Sequence, residues 1–196
     1  MSKTRTRTRT LFSFAALALG ATAVIGGAGT SSAASGNSDS DSYAYSHACT
    51  SDQLSVQVIR HSEDSGQRVI EVRNLGGSAC GLSYYPLVSI GDPNAADHSN
   101  DIKPLIPGGL GGAPAYPLHA GQAAYAVIDL DPTGKAGATL PRGAELNVLA
   151  HSDMPNAETL NFPLGSNARV LSPKLGLYED NINDAISSME QANVQS

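Results

Sequence analysis

The chain has 196 residues, with 12 lysines and arginines against 18 aspartates and glutamates. This length predicts one domain with additional segments. Twenty glycines, eleven prolines, no tryptophan and only 15% charged residues favour short strands and many turns over long helices.

The first 33 residues have the pattern of a secretory signal peptide. Four basic residues lead into an apolar run from Leu11 to Ile25, and small residues follow up to Ala34. An uncleaved anchor is the alternative, but the run is shorter than the roughly 20 apolar residues of a spanning helix and is broken by Gly20. We therefore expect a secreted, extracellular protein without a stable membrane span after signal cleavage.

The charge of the remaining chain restricts its partners. Four of the twelve basic residues and none of the eighteen acidic ones lie in the first 33 positions, so the remainder has a net charge of −10. Nucleic acids and anionic membranes both require positive charge from a protein, so neither is an expected partner.

The chain contains two cysteines, Cys49 and Cys80. An even pair in an exported protein predicts a disulfide. The alternative is a pair of thiols in a metal or redox site, but no C-x-x-C spacing favours it.

Alternation of apolar and polar residues predicts an all-β domain over 47–178. Residues 34–46 are rich in Ser, Asp, Gly and Asn and predict a flexible tether, because they bury little apolar area. Seven to eight short strands predict a β-sandwich, the first two as a hairpin. The predicted strands are Leu54–Val58, Val69–Arg73, Leu87–Ile90, Ile102–Ile106, Ala123–Leu130, Leu146–Ala150, Thr159–Phe162 and Arg169–Leu171. The strand that contains Pro104 is predicted at a sheet edge.

The last part of the chain, 179–196, predicts a short C-terminal helix and tail. Ile182, Ala185, Ile186 and Met189 have helical spacing. A helix this short is marginal alone, so it must dock on the sandwich or fray.

The segment from Asp92 to Gly121 is predicted to be a long, irregular loop with few core residues. It contains five prolines and two Gly-Gly pairs. Long loops in compact domains are often functional, so the segment is a candidate binding loop, although a passive connection is the alternative. The polar residues that carry this hypothesis are Asp92, Asn94, Asp97, Asn100 and Asp101.

Four motifs resemble one known family. Cys49–Leu54 (CTSDQL) resembles its opening, and Val72–Leu82 (VRNLGGSACGL) resembles its central signature, a strand ending in Asn, a small-residue turn and a Cys. Tyr85-Pro86 and Leu118–Tyr125 (LHAGQAAY) are similar to its later motifs. The family is domain of unknown function 4232, found in secreted and lipid-anchored actinobacterial proteins. The resemblance implies an immunoglobulin-like sandwich and export, and it implies no activity.

This chain departs from the family pattern in three places. Tyr84 stands where a Gly usually precedes the Tyr-Pro, Ala120 replaces a Pro, and no further cysteines follow. These departures concern loop geometry.

Catalytic and metal-binding motifs are weak in this sequence. The segment Gly81–Tyr85 lacks the final Gly of a nucleophile elbow, so Ser83 is interpreted as a turn residue. The five histidines, at positions 47, 61, 98, 119 and 151, lack the short spacing of a zinc site. His151 with Met154 would suit copper, and the Asp-rich stretch from Asp92 to Asp101 would suit calcium.

We therefore expect a non-enzymatic module without a cofactor that binds an unknown protein or cell-envelope component. The alternatives are a copper- or calcium-binding extracellular protein, an uncharacterised enzyme, and a purely structural envelope protein. Tyr84-Tyr85 could present a binding face, although a packed corner is the favoured interpretation.

The signal-peptide interpretation predicts the mature N-terminus. Cleavage after Ala33 or Ala34 would leave Ala34 or Ser35 as the first residue of the secreted protein. Edman sequencing of secreted material measures this directly, and a sequence that begins at Ser2 would contradict export.

Overall fold

The computed structural model describes residues 37–61, 66–92, 94–111, 116–136, 140, 143–166 and 168–196. The chain divides into two units, Met1–Ala34 and Ser35–Ser196. The predicted signal peptide lies in the first unit, outside the described residues. Within the described ranges, no helix is long and apolar enough to cross a membrane.

The second unit consists mainly of short β-strands, as predicted. Two single-turn 3₁₀ helices, Ser51–Gln53 and Asn156–Glu158, interrupt the connections. The other elements, in chain order, are α1 (Asp41–Ala44), β1 (Leu54–Arg60), β2 (Gln67–Asn74), β3 (Cys80–Leu82), β4 (Leu87–Gly91), β5 (Leu105–Ile106), β6 (Tyr116–Leu118), β7 (Ala123–Asp129), β8 (Glu145–Leu149), β9 (Leu160–Pro163), β10 (Lys174–Leu175), α2 (Ile182–Glu190) and β11 (Val194–Gln195).

The strands form three sheets in an all-β, sandwich-like arrangement. The largest has the order β1-β2-β7-β10-β5-β11, a second has the order β4-β8-β9, and β3 pairs with β6. The predicted hairpin of β1 and β2 is confirmed, with Leu54 opposite Asn74 and Arg60 opposite Arg68.

The main hydrophobic core lies between the large sheet and the three-stranded sheet. Side chains alternate along a strand, so Ile70 and Val72 of β2 face this core together with Ala124, Ala126 and Ile128 of β7. The facing β8 contributes Leu146 and Val148. These are the apolar faces that the alternation of apolar and polar residues along the three strands predicts, and the structure confirms them.

Helix α2 covers the opposite face of the large sheet. Val69 of β2 and Val127 of β7 point away from the main core and pack with Ala185 and Met189 of the helix. The helix begins after Asn181, whose side chain accepts a hydrogen bond from the Asp184 amide at 3.0 Å. The predicted helix is therefore confirmed, and it docks on the sheet.

Part of the segment predicted as an irregular loop belongs to the core. Ile106 of β5 and Leu118 of β6 are buried there. The strand β5 is also not at an edge, since it lies between β10 and β11. Pro104 does not prevent this, because it precedes the strand and the first ladder donor is the Leu105 amide, which bonds to the Pro173 carbonyl at 2.8 Å.

The strand predicted at Arg169–Leu171 is replaced by β10, which begins at Lys174, three residues after Leu171. Leu171 is exposed, and Ser172 has a positive φ of 49°. That conformation turns the chain before Pro173, so the extended pairing starts only at Lys174.

The described part of the predicted tether, residues 37–46, packs against the domain instead. Ala44 of α1 is buried. The Ala79 amide donates to the Ser38 carbonyl, and the Ala120 amide donates to the Asp39 carboxylate, both at 2.8 Å. Hydrogen bonds hold this polar segment on the domain. The prediction of a flexible tether was wrong for these residues because it considered only how little apolar area they can bury.

The disulfide between Cys49 and Cys80 is present, as predicted. It joins the chain before β1 to the first residue of β3. Beside it, the buried Asn74 donates to the carbonyls of Ser78 and Leu118 at 2.8 and 3.0 Å and accepts from the Gly76 amide at 2.8 Å. These bonds explain the Asn-turn-Cys motif, because one amide satisfies three backbone groups around the turn.

The contact between β10 and α2 gives a stability prediction at Gly176. A Cβ there would lie 2.4 Å from the Ala185 carbonyl oxygen, which belongs to the helix backbone. We expect Gly176→Ala to lower the free energy of unfolding by about 1–3 kcal/mol, measured by urea titration. The control Gly77→Ala meets nothing within 4 Å and should change it by less than about 0.5 kcal/mol. Equal stability of the two variants would contradict this packing.

Candidate binding groove

The outer face of the three-stranded sheet carries a row of polar side chains. Leu146 and Val148 of β8 face the core, so Asn147 between them faces outward. In register, Ser89 of β4 lies opposite Asn147, and Asn147 lies opposite Asn161 of β9. We call Ser89, Asn147 and Asn161 the polar row.

The polar row lies in a groove of about 590 Å³. Tyr85, Leu87 and Leu149 supply apolar surface, and the groove is also lined by Pro86, Pro104, His98, Asp101, Lys103, Asn156 and Thr159. The segment between β4 and β5 is held against the sheet because Ile90 and Ile102 exchange two backbone hydrogen bonds of 2.9 Å. This pairing brings Asp101 to the polar row.

A chain of hydrogen bonds links this segment to β4 and β8. Ser89 Oγ donates to Asp101 Oδ2 at 3.2 Å, and His98 Nδ1 lies 3.2 Å from the same oxygen. Asn147 Nδ2 donates to Ser89 Oγ at 3.3 Å. Asn147 is only 7% exposed, and its Oδ1 has no hydrogen-bond partner among the described residues.

Gly91 makes room for the Asp101 carboxylate. A Cβ at position 91 would lie 1.9 Å from Asp101 Oδ1 and 2.5 Å from its Cγ. A side chain at position 91 would therefore displace the Asp101 carboxylate from this place.

Of the five predicted loop residues, only Asp101 lines the groove. Asp92 accepts a hydrogen bond from the Asn94 amide at 2.9 Å. The backbone amide and hydroxyl of Ser99 bind Asp97 and hold the pKa of its carboxyl below the usual range. Asp92, Asn94 and Asp97 therefore stabilise local turns, and Asn100 is exposed.

Sequence reasoning missed the polar row. Asn147 alternates with Leu146 and Val148, which predicts an outward position on a strand, but nothing in the chain order indicates that Ser89 and Asn161 lie beside it. One signal could have pointed to the row. The next outward residue on the same strand, Leu149, is apolar and is buried in the structure, so the outer face of this strand is covered, and an amide at position 147 on such a face is unusual.

The proposed copper pair does not form an open site. The His151 Nδ1 accepts from the Asp153 backbone amide at 3.0 Å, and burial lowers the pKa of the His151 ring. Met154 packs against the main core. Within the part of the chain that the structure describes, no three His, Cys, Asp or Glu side chains lie close enough to hold a metal.

Ser83, which the sequence predicts to be a turn residue, donates a hydrogen bond to the Tyr85 carbonyl at 2.8 Å.

A second cleft, of about 800 Å³, lies at one end of the large sheet. Arg60, Arg68 and Arg169 line it together with Asp129 and Asp131. The Asp131 carboxylate accepts bonds from the loop that follows it, chiefly from the Ala136 amide at 2.8 Å, and these bonds lower the pKa of Asp131. We call this the Arg-lined cleft.

The position of Asp101 gives a prediction at Gly91. We expect Gly91→Ala to displace the carboxylate and release Ser89 and His98, which changes the NMR shifts of the His98 ring and the Ser89 amide. Gly91→Ala should also lower the free energy of unfolding of the unmodified protein. In an Asp101→Ala background it should change that free energy very little, because the side-chain atoms that clash are gone. Additive losses in this double-mutant cycle would contradict the contact.

Comparison with known proteins identifies the family. A family model described as a domain of unknown function, DUF4232, matches residues 49–176, which is more than half of the chain. Neither the curated proteins nor the solved structures contain a match. The matched range includes both cysteines, the Asn74 turn and the polar row, and the chain belongs to the DUF4232 family.

Proposed function

We propose that this protein is an exported, non-enzymatic binding module with an immunoglobulin-like architecture, and that its ligand occupies the groove. The observation that carries the proposal is the convergence of the polar row and Asp101 beside apolar surface in one concave site. Small-molecule sites usually combine an apolar lining with a few placed polar groups, in volumes of about 300–1,000 Å³. The groove has that composition and size.

Two observations support export to the cell exterior or envelope. The first 33 residues have the order of charged, apolar and small residues that a signal peptide requires. The Cys49–Cys80 disulfide is of a kind that persists mainly in oxidising compartments.

The bonding within the groove favours binding over catalysis. Ser89, His98 and Asp101 are the residue types of a hydrolytic triad, but a serine nucleophile needs a base that accepts its proton. Here the Ser89 hydroxyl donates to the Asp101 carboxylate, and His98 contacts the same oxygen. The serine and the histidine therefore share one partner instead of bonding to each other.

A fragment screen by NMR tests this proposal. Neutral polar fragments should cause saturable shifts of the Ser89, Asn147 and Asn161 amides in the isotope-labelled secreted protein. The amides of Arg60 and Thr133 in the Arg-lined cleft serve as the internal control and should not respond.

Two outcomes would contradict the proposal. One is that fragments shift only residues of the Arg-lined cleft, or none at all. The other is hydrolysis of an ester fragment that is lost in His98→Ala, which would indicate an enzyme.

A further inference from the structure

We infer that the ligand of the groove is a neutral, polyhydroxylated molecule, a saccharide, one of whose hydroxyl groups donates a hydrogen bond to Asn147 Oδ1. This inference rests on the proposed function and specifies its chemistry. It follows from the direction of the hydrogen bonds in the groove, from the charges that line it and from its position on the sheet.

The hydrogen-bond directions determine which atom of Asn147 is free. A hydroxyl has a single proton, and that of Ser89 goes to the Asp101 carboxylate, which can only accept. Ser89 Oγ can then only accept from Asn147, so the amide must turn its Nδ2 toward Ser89. Asn147 Oδ1 is left as an acceptor without a donor in the described part of the chain.

Folding alone does not account for an amide at this position. A buried polar atom without a partner costs free energy, whereas the next outward residue on β8 is the apolar Leu149. A leucine at position 147 would avoid that cost. The amide is therefore best explained by a donor that arrives from outside the chain.

The charges around the groove favour a neutral ligand. The described residues that line it include one acidic side chain, Asp101, one lysine, Lys103, and the last residue, Ser196, whereas calcium takes six to eight oxygen ligands. Lys103 is exposed, and none of the described residues that line the groove is an arginine, the side chain that forms the clamp a phosphate prefers.

A saccharide matches the remaining surface. Each hydroxyl both donates and accepts, as do the amides of Asn156 and Asn161 and the hydroxyl of Thr159. Tyr85 and Leu149 offer apolar surface for the C–H face of a sugar ring.

The position of the groove disfavours a peptide. Extended peptides usually pair with the free edge of a sheet, where backbone groups are unpaired. The polar row instead runs across the face of three paired strands.

Access to Asn147 Oδ1 requires a small movement. The oxygen is enclosed in this structure, and Asn161, its neighbour in register, is exposed. A ligand hydroxyl therefore reaches Oδ1 only after a neighbouring side chain moves, a change that exposed side chains make rapidly.

Calorimetry and NMR titration of the secreted protein test the inference. The probes are maltotriose, cellotriose, mannotriose and chitotriose, with triglycine and inorganic phosphate as representatives of other ligand classes. We expect at least one trisaccharide to bind saturably and to shift the amides of the polar row, and phosphate to have no effect there.

Two groove variants test the role of the amide. Asn147→Leu should weaken trisaccharide binding at least about ten-fold while the melting temperature stays the same or rises, because the unpaired acceptor is gone. Ser89→Ala, at a partly exposed position, removes the group that orients the amide and should weaken binding several-fold. The matched control, Asn183→Leu on the exposed side of α2, should leave binding unchanged.

The outcomes separate this inference from the proposed function. If only triglycine or phosphate shifts the polar row, or if fragments bind there and no trisaccharide does, the saccharide class is wrong and the binding module stands. If a trisaccharide binds equally well to Asn147→Leu, the role of Asn147 is wrong. If nothing shifts the polar row, both proposals fail.

Discussion

The two central strands β2 and β7 are covered on both faces, and this constraint limits the surface that the large sheet can offer to a ligand. Their side chains alternate between the main core and helix α2, so that Ile70 and Val69, neighbours in sequence, are both buried but in different clusters. Since α2 covers the outside of the large sheet there, these strands offer little surface except at their end, where Arg68 and Asp129 line the Arg-lined cleft. The three-stranded sheet is different: its inner face contributes Leu146 and Val148 to the core, and its outer face lines the groove.

The groove depends on how the chain leaves β4. Gly91 ends that strand, and its missing side chain provides the space that the Asp101 carboxylate occupies. Pairing of Ile102 with Ile90 then fixes the returning segment, so the carboxylate, Ser89 and Asn147 are connected through consecutive hydrogen bonds. A wall held in place by such hydrogen bonds loses less conformational entropy when a ligand binds.

Local patterns were sufficient to predict the elements whose periodicity is regular, such as the hairpin, the faces of β7 and the helix at Ile182–Glu190. They were insufficient where distant partners determine the structure. Ile106 and Leu118 are core residues because the segment crosses between sheets, and residues 37–46 are held by hydrogen bonds to positions 79 and 119–120. The candidate site was harder still, since only Asp101 of the five polar residues predicted in the loop lines the groove. The polar row comes from three strands, its successive members are 58 and 14 residues apart in the chain, and only the sheet register shows that they are neighbours.

The central claim is that Asn147 presents a free acceptor to a hydroxyl-bearing ligand. The most direct test is the structure of a crystal soaked in a trisaccharide that binds in solution. The account predicts density in the groove, with a sugar hydroxyl within hydrogen-bond distance of Asn147 Oδ1 and the Ser89–Asp101 bond retained. Density at the Arg-lined cleft alone would contradict the account. So would an Asn147 amide turned the other way, with Oδ1 paired inside the protein and the sugar elsewhere.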